Sequence, residues 1–135
     1  MKLLLAGGGT GGHLFPAIAL AEQLKFEEPQ SDVLFVGTER GLESRMLPEL
    51  GWPLEKIEMS GWAGLGFAAR LKVLVKLLKS LGQSRKILQT FAPDVVVGVG
   101  GYASVPVLLA AKLMGVPYLV HEQNAWPGLA NRLLG

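Results

Sequence analysis

A chain of 135 residues, half of them hydrophobic and 18% charged, with a net charge of +2, has the composition of one folded domain rather than a disordered segment. With no cysteine and only two histidines, it has no disulfide framework and no thiolate metal site, and a histidine-built zinc site is not expected. The apolar start, residues 2–6, is too short for a signal peptide or a membrane span, and Gly7 to Gly12 end it, so the chain is expected in the cytoplasm unless a surface recruits it.

Residues 3–6 read as a buried strand that runs into Gly7-Gly8-Gly9-Thr10-Gly11-Gly12-His13. Gly7, Gly9 and Gly12 fit the G-x-G-x-x-G spacing, which lets backbone approach a ligand and aims N–H groups at a phosphate. His13 is not required by that pattern. The positive end of a helix disfavours an imidazolium, which predicts a neutral histidine beside an anion site, the state a general base needs. A glycine turn that only lets strand and helix pack is the alternative. Residues 14–25 follow as a helix with Ala17, Ile18, Leu20, Ala21 and Leu24 facing inward, and Pro16 is placed in its first turn, where a missing N–H costs nothing.

Residues 33–36 form the second apolar strand, ended by Gly37. Glu39 lies just beyond it, where a nicotinamide-binding domain would use an acid to grip a ribose, and this keeps that reading open. A short helix at 42–50 is stopped by Gly51 and Pro53, and a third strand is expected over 54–59. Residues 61–66 read as a glycine-rich loop around Trp62, and 67–91 as a long helix that Gly82 bends or divides. From Met59 to Pro93 there is no acidic residue, while Arg70, Lys72, Lys76, Lys79, Arg85 and Lys86 fall there among more leucine and valine than one core-facing stripe uses. A solvated basic face and docking to an anionic membrane both fit this pattern. Nucleic acid is not expected as a partner, because no aromatic residue lies among the cations to stack on bases.

Residues 95–99 are the clearest strand, followed by a second glycine turn, Gly98-Val99-Gly100-Gly101-Tyr102-Ala103-Ser104. That turn is a second candidate sugar or anion site, or simply a tight connection with Tyr102 packed on it. Ser104 is expected to cap a helix reaching Met114, with Gly115 and Pro117 as stop signals. Residues 118–121 read as a fifth strand, His121-Glu122-Gln123-Asn124 as a polar cluster after it, and 128–134 as the start of another helix, from which Asn131 could point back to the cluster. Continuous apolar strands separated by helices predict an α/β fold, a Rossmann-like parallel sheet with helices on both faces, whose ligand lies at the carboxyl ends of the strands. The three polar stretches at 7–13, 100–104 and 121–124 all follow strand ends.

In order and spacing, Gly7-Gly8-Gly9-Thr10-Gly11-Gly12-His13 with Pro16-Ala17, Gly37-Thr38 with Gly41-Leu42-Glu43, Val99-Gly100-Gly101-Tyr102-Ala103-Ser104 and His121-Glu122-Gln123-Asn124 resemble the MurG family of bacterial transferases. The resemblance covers nearly the whole chain. It implies transfer of N-acetylglucosamine from UDP-GlcNAc to the C4 hydroxyl of MurNAc in lipid I, giving lipid II for peptidoglycan. It also implies the N-terminal, acceptor-side half of a two-domain GT-B enzyme, with residues 1–135 as the acceptor and membrane-docking domain and the C-terminal donor-binding domain absent. Carried over by motif, His13 is the expected base, and Thr10, Gly11, Gly12 and Asn124 line the donor side. Tyr102, Ser104, Glu122 and Asn131 shape the acceptor pocket. No cofactor and no bound metal are implied. The family docks peripherally on the cytoplasmic face of the inner membrane, and Lys76, Leu77, Leu78, Lys79, Leu81 and Arg85 fit the anionic-lipid contact. A docking subunit of a split glycosyltransferase, resembling the two-chain eukaryotic enzyme of dolichol-linked chitobiose synthesis, is the other reading.

Overall fold

The computed structural model describes residues 1–59 and 66–122. Its elements alternate: β1 (Lys2–Gly7), α1 (Gly11–Glu27), β2 (Asp32–Gly37), α2 (Glu43–Glu49), β3 (Leu54–Lys56), α3 (Phe67–Phe91), β4 (Val95–Gly100), α4 (Ser104–Met114) and β5 (Tyr118–Val120). The five strands form one sheet in the order β3-β2-β1-β4-β5. Every pairing is parallel. From β1 the chain winds outward through β2 and β3, then returns to place β4 on the other side of β1. The crevice between the ends of β1 and β4 is therefore the topological switch point, where open α/β sheets bind ligands.

Two apolar layers cover the sheet because successive side chains on β1 point to opposite faces. Leu3 and Leu5 pack with Leu14, Ala17, Ile18 and Ala21 of α1 and with Val33, Phe35 and Leu47. Leu4 and Ala6 pack with Leu88 of α3 and with Val107, Leu108, Ala110 and Ala111 of α4. Leu4, Leu5, Leu14 and Leu108 are essentially solvent-free. Each contributes about 1.5–3 kcal/mol relative to exposure.

Several local expectations need correction. Helix α1 begins at Gly11 rather than at residue 14, because Thr10 is extended and its carbonyl receives the N–H groups of both His13 and Leu14. Pro16 thus lies beyond the first turn, and its missing N–H leaves the Gly12 carbonyl without its usual helical donor. Leu20 is exposed, since the inward stripe runs through Leu14, Ala17, Ile18 and Ala21, with Leu24 packed at its edge. Helix α3 is continuous through Gly82. Glycine costs a helix only about 1 kcal/mol relative to alanine, and Val73, Ser80, Ser84 and Leu88 anchor that helix on both sides of it. Strand β3 stops at Lys56, before residue 59, although the Ile57 N–H still reaches the Gly37 carbonyl at 2.9 Å. Strand β5 ends at Val120, one residue early. Residues 61–65 of the loop expected over 61–66, Gln123, and the helix start at 128–134 lie outside the described residues.

Candidate active site at the ends of the first and fourth strands

Gly7, Gly8 and Gly9 have φ of 134°, 126° and 89°, and Gly100 and Gly101 have φ of 102° and 86°. Five residues at the mouth of the crevice thus occupy conformations that side chains disfavour. The two turns interlock. The Gly8 N–H donates to the Gly100 carbonyl at 3.1 Å. A Cβ on Gly101 would run into the Gly8 carbonyl, and one on Gly100 would meet the His13 ring. Glycine is required here for close approach of backbone to backbone and to imidazole.

His13 sits in the first turn of α1, half-buried, with its Nδ1 3.1 Å from the Gly8 carbonyl oxygen and 3.4 Å from Thr10 Oγ1. A carbonyl oxygen only accepts, so in this geometry Nδ1 carries the proton and donates it to Gly8. In the neutral ring Nε2 is then the nitrogen with the free lone pair. The ring rests against Gly100, at the end of β4.

The site contains a residue to which sequence reasoning gave no role. Glu43, at the start of α2, is 1% exposed. Its Oε2 accepts the Gly9 N–H at 2.7 Å, and its Oε1 accepts the Thr38 N–H at 2.9 Å. A Cβ at Gly8, Gly37 or Gly41 would strike its side chain. This changes the reading of the glycine turn. The Gly8 and Gly9 N–H groups expected to face a phosphate are already bound, one to Gly100 and one to the protein's own carboxylate. An anion at Gly7 to Gly9 would meet the negative charge of Glu43. The available donors lie further along, where the first turn of α1 leaves the N–H groups of Gly11 and Gly12 without intrahelical acceptors. Glu39, the expected ribose ligand of the dinucleotide alternative, pairs instead with Lys56 at 3.0 Å. The signal for Glu43 was present in Gly37 and Gly41, two glycines just ahead of an acid at a helix start, a position the helix dipole favours.

The other candidates divide. Thr10 is exposed at the mouth of the crevice, and Tyr102 is exposed beside the second turn. Ser104 is fully buried and does not act as the cap. It is the first residue of α4, and its hydroxyl donates to the Gly101 carbonyl at 2.7 Å. As placed it offers no surface to an acceptor and holds the turn instead. The His121 N–H bonds to the Gly98 carbonyl at 2.8 Å, which brings His121 and the half-buried Glu122 beside the end of β4. Asn124 and Asn131 lie outside the described residues.

On α3 the expected docking set is redrawn. Leu81 packs against the core, Leu77 is half-buried, and the Lys79 ammonium is 2.9 Å from the Glu58 carboxylate. Those leucines fall on the side of Val73, Ser80 and Ser84, which faces the protein. Lys76, Leu78 and Arg85 remain exposed. The outward apolar stripe is Phe67, Leu71, Leu74, Val75 and Leu78, spaced at helical intervals, with Phe67 80% and Leu78 63% exposed. Exposed Arg70, Lys72 and Lys76 are interleaved with it along the helix. No helix among the described residues is long and apolar enough to cross a membrane.

With this geometry in view, the chain can be set beside known proteins. Residues 3–135 match the model described as the glycosyltransferase family 28 N-terminal domain. Over 135 residues the chain is 58% identical to a protein of Syntrophotalea carbinolica, covering all of this chain and 38% of the relative. That protein is named UDP-N-acetylglucosamine--N-acetylmuramyl-(pentapeptide) pyrophosphoryl-undecaprenol N-acetylglucosamine transferase. A protein of the same name from Geobacter sulfurreducens is 58% identical over 99% of this chain and 37% of its own length. The chain therefore spans little more than a third of these relatives. Among solved structures, MurG of Acinetobacter baumannii superposes with a TM-score of 0.80 at 34% identity, over 98% of this chain and 37% of that one. The glycosyltransferase SsfS6 of Streptomyces sp. SF2575, 14% identical with a TM-score of 0.68 over 99% of this chain and 42% of its own, shares the fold.

Proposed function

This chain belongs to the glycosyltransferase family 28 N-terminal domain family and has the fold of the N-terminal half of a GT-B enzyme, and on that premise we propose that it is the acceptor-side domain of an N-acetylglucosaminyltransferase. The reaction assigned to it moves N-acetylglucosamine from UDP-GlcNAc to the C4 hydroxyl of MurNAc in lipid I, forming lipid II. The observation that carries this reading is the His13 ring, held by Nδ1 on the Gly8 carbonyl with Nε2 left as a proton acceptor at the switch point. In the proposed step Nε2 takes the proton of the acceptor hydroxyl as its oxygen bonds to the sugar C1. The bond from C1 to the diphosphate oxygen breaks on the opposite face, inverting the centre and releasing UDP.

In this reading the growing charge on the diphosphate is met by the free N–H groups at the start of α1, with Thr10, Gly11 and Gly12 on the donor side together with Asn124. Tyr102, Glu122 and Asn131 are assigned to the acceptor, and the uridine to a part of the enzyme outside residues 1–135. The stripe from Phe67 to Leu78, with its interleaved cations, is proposed to rest on an anionic membrane at the cytoplasmic face, where lipid I would be met. Replacing His13 with alanine in the complete enzyme tests the central assignment. Turnover should fall by about 10²–10⁴, the usual cost of losing a general base, with donor KM nearly unchanged. Near-normal kcat would reject His13 as the base.

A further inference from the structure

The Gly9 N–H and the Gly8 carbonyl belong to one peptide group, and that group is bonded at both ends. On one side the Gly9 N–H donates to the buried Glu43 carboxylate at 2.7 Å. On the other the Gly8 carbonyl accepts from His13 Nδ1 at 3.1 Å. The next carbonyl, of Gly9, accepts the Leu42 N–H at 3.3 Å, which ties the same turn to the residue before Glu43. We propose that Glu43 is a positioning residue for His13, acting through the Gly8–Gly9 peptide as a relay, an inference that rests on the reading of His13 as the base.

The physical argument has three parts. A charge-assisted N–H···O⁻ bond is about twice as strong as a neutral one. Hydrogen bonds in a chain polarise one another, so a carboxylate on the N–H makes the carbonyl of the same peptide a better acceptor. That carbonyl then holds the proton on Nδ1, which keeps the lone pair on Nε2, and it faces the cation that forms when Nε2 accepts a proton. The arrangement does the work of a carboxylate bonded directly to a catalytic imidazole, with one peptide group inserted between them. The burial of Glu43 against Gly8, Gly37 and Gly41 fits this role. Those three positions leave just enough room for the carboxylate, and a side chain on any of them would displace it.

The test reads the imidazole directly, on the 135-residue chain labelled with ¹⁵N-histidine, at alkaline pH where the ring is neutral. In the parent, His13 should be predominantly the Nδ1–H tautomer. Glu43→Gln removes the charge and sets an amide N–H₂ against a backbone donor, so the population should move toward Nε2–H. Gly41→Ala keeps Glu43 but pushes its carboxyl out of place, and should move the tautomer the same way. Thr38→Val, which removes only a 3.5 Å hydroxyl contact to Glu43, should leave it unchanged. A tautomer that stays Nδ1–H in Glu43→Gln or Gly41→Ala, with the Gly9 amide signal showing that its bond is lost, would overturn the relay. Should neither variant fold, the parent decides: no scalar coupling across the bond between the Gly9 amide nitrogen and the Glu43 carboxyl carbon would also overturn it. In the complete enzyme, Glu43→Gln should lower kcat without changing donor KM. A His13→Ala enzyme that keeps its turnover would overturn the base reading and with it the catalytic use of the relay, while the tautomer alone decides whether Glu43 sets the ring.

Discussion

Gly9 and Gly101 allow the interlocked turns to be tested by a matched pair of alanine substitutions. Both residues have positive φ, 89° and 86°, so alanine pays a similar backbone penalty at each, about 1–2 kcal/mol. Their surroundings differ. A Cβ on Gly9 meets nothing within 4 Å, whereas a Cβ on Gly101 runs into the Gly8 carbonyl, which is backbone and cannot swing aside. Forcing atoms into such a contact adds about 1–3 kcal/mol. Gly9→Ala should therefore lose about 1–2 kcal/mol and Gly101→Ala about 2–5 kcal/mol. For a chain of this size each kcal/mol shifts Tm by about 4 °C, which puts Gly101→Ala some 4–12 °C below Gly9→Ala. Calorimetry on the two variants, with urea titration to check that m is unchanged, measures the difference. Equal losses would show that the turns are not pressed together and would undo the account of how His13 is held.

Other outcomes follow from the same structure. Leu108→Ala should cost about 2–5 kcal/mol in urea unfolding, since that side chain is fully buried and fills the space over Gly98. Ser104→Ala should destabilise by about 1–3 kcal/mol, through the loss of the hydrogen bond to the Gly101 carbonyl; an unchanged melt with weaker acceptor binding would return Ser104 to the acceptor. Val75→Glu with Leu78→Glu should abolish sedimentation with anionic vesicles and leave the melting curve nearly unchanged, because both side chains face outward. Vesicle binding by the parent should weaken with salt, as the Debye length contracts from about 10 Å at 0.1 M to about 3 Å at 1 M. A parent chain that does not bind such vesicles at low salt would discard the membrane surface.

The architecture was legible in the sequence because it rests on local signals. Continuous apolar strands, helical periodicity between them and glycine at the turns define a parallel sheet covered on both faces, and strand ends mark its ligand edge. His13 was legible for the same reason, as an imidazole at a helix start after a glycine turn. What periodicity cannot supply is which polar group reaches which across the chain. Glu43 reads in sequence as an acid opening a short helix, and only the parallel pairing of β1 with β2 brings it under Gly9, 34 residues away. That contact turned an expected phosphate cradle into an internally satisfied turn, since the N–H groups of a glycine loop bind whichever acceptor the tertiary fold places nearest. The face of α3 was settled in the same way. Its sequence offers more apolar residues than one stripe needs, and packing on α4 and the core decided that Leu77 and Leu81 turn inward while Phe67, Leu71, Leu74, Val75 and Leu78 are left to solvent.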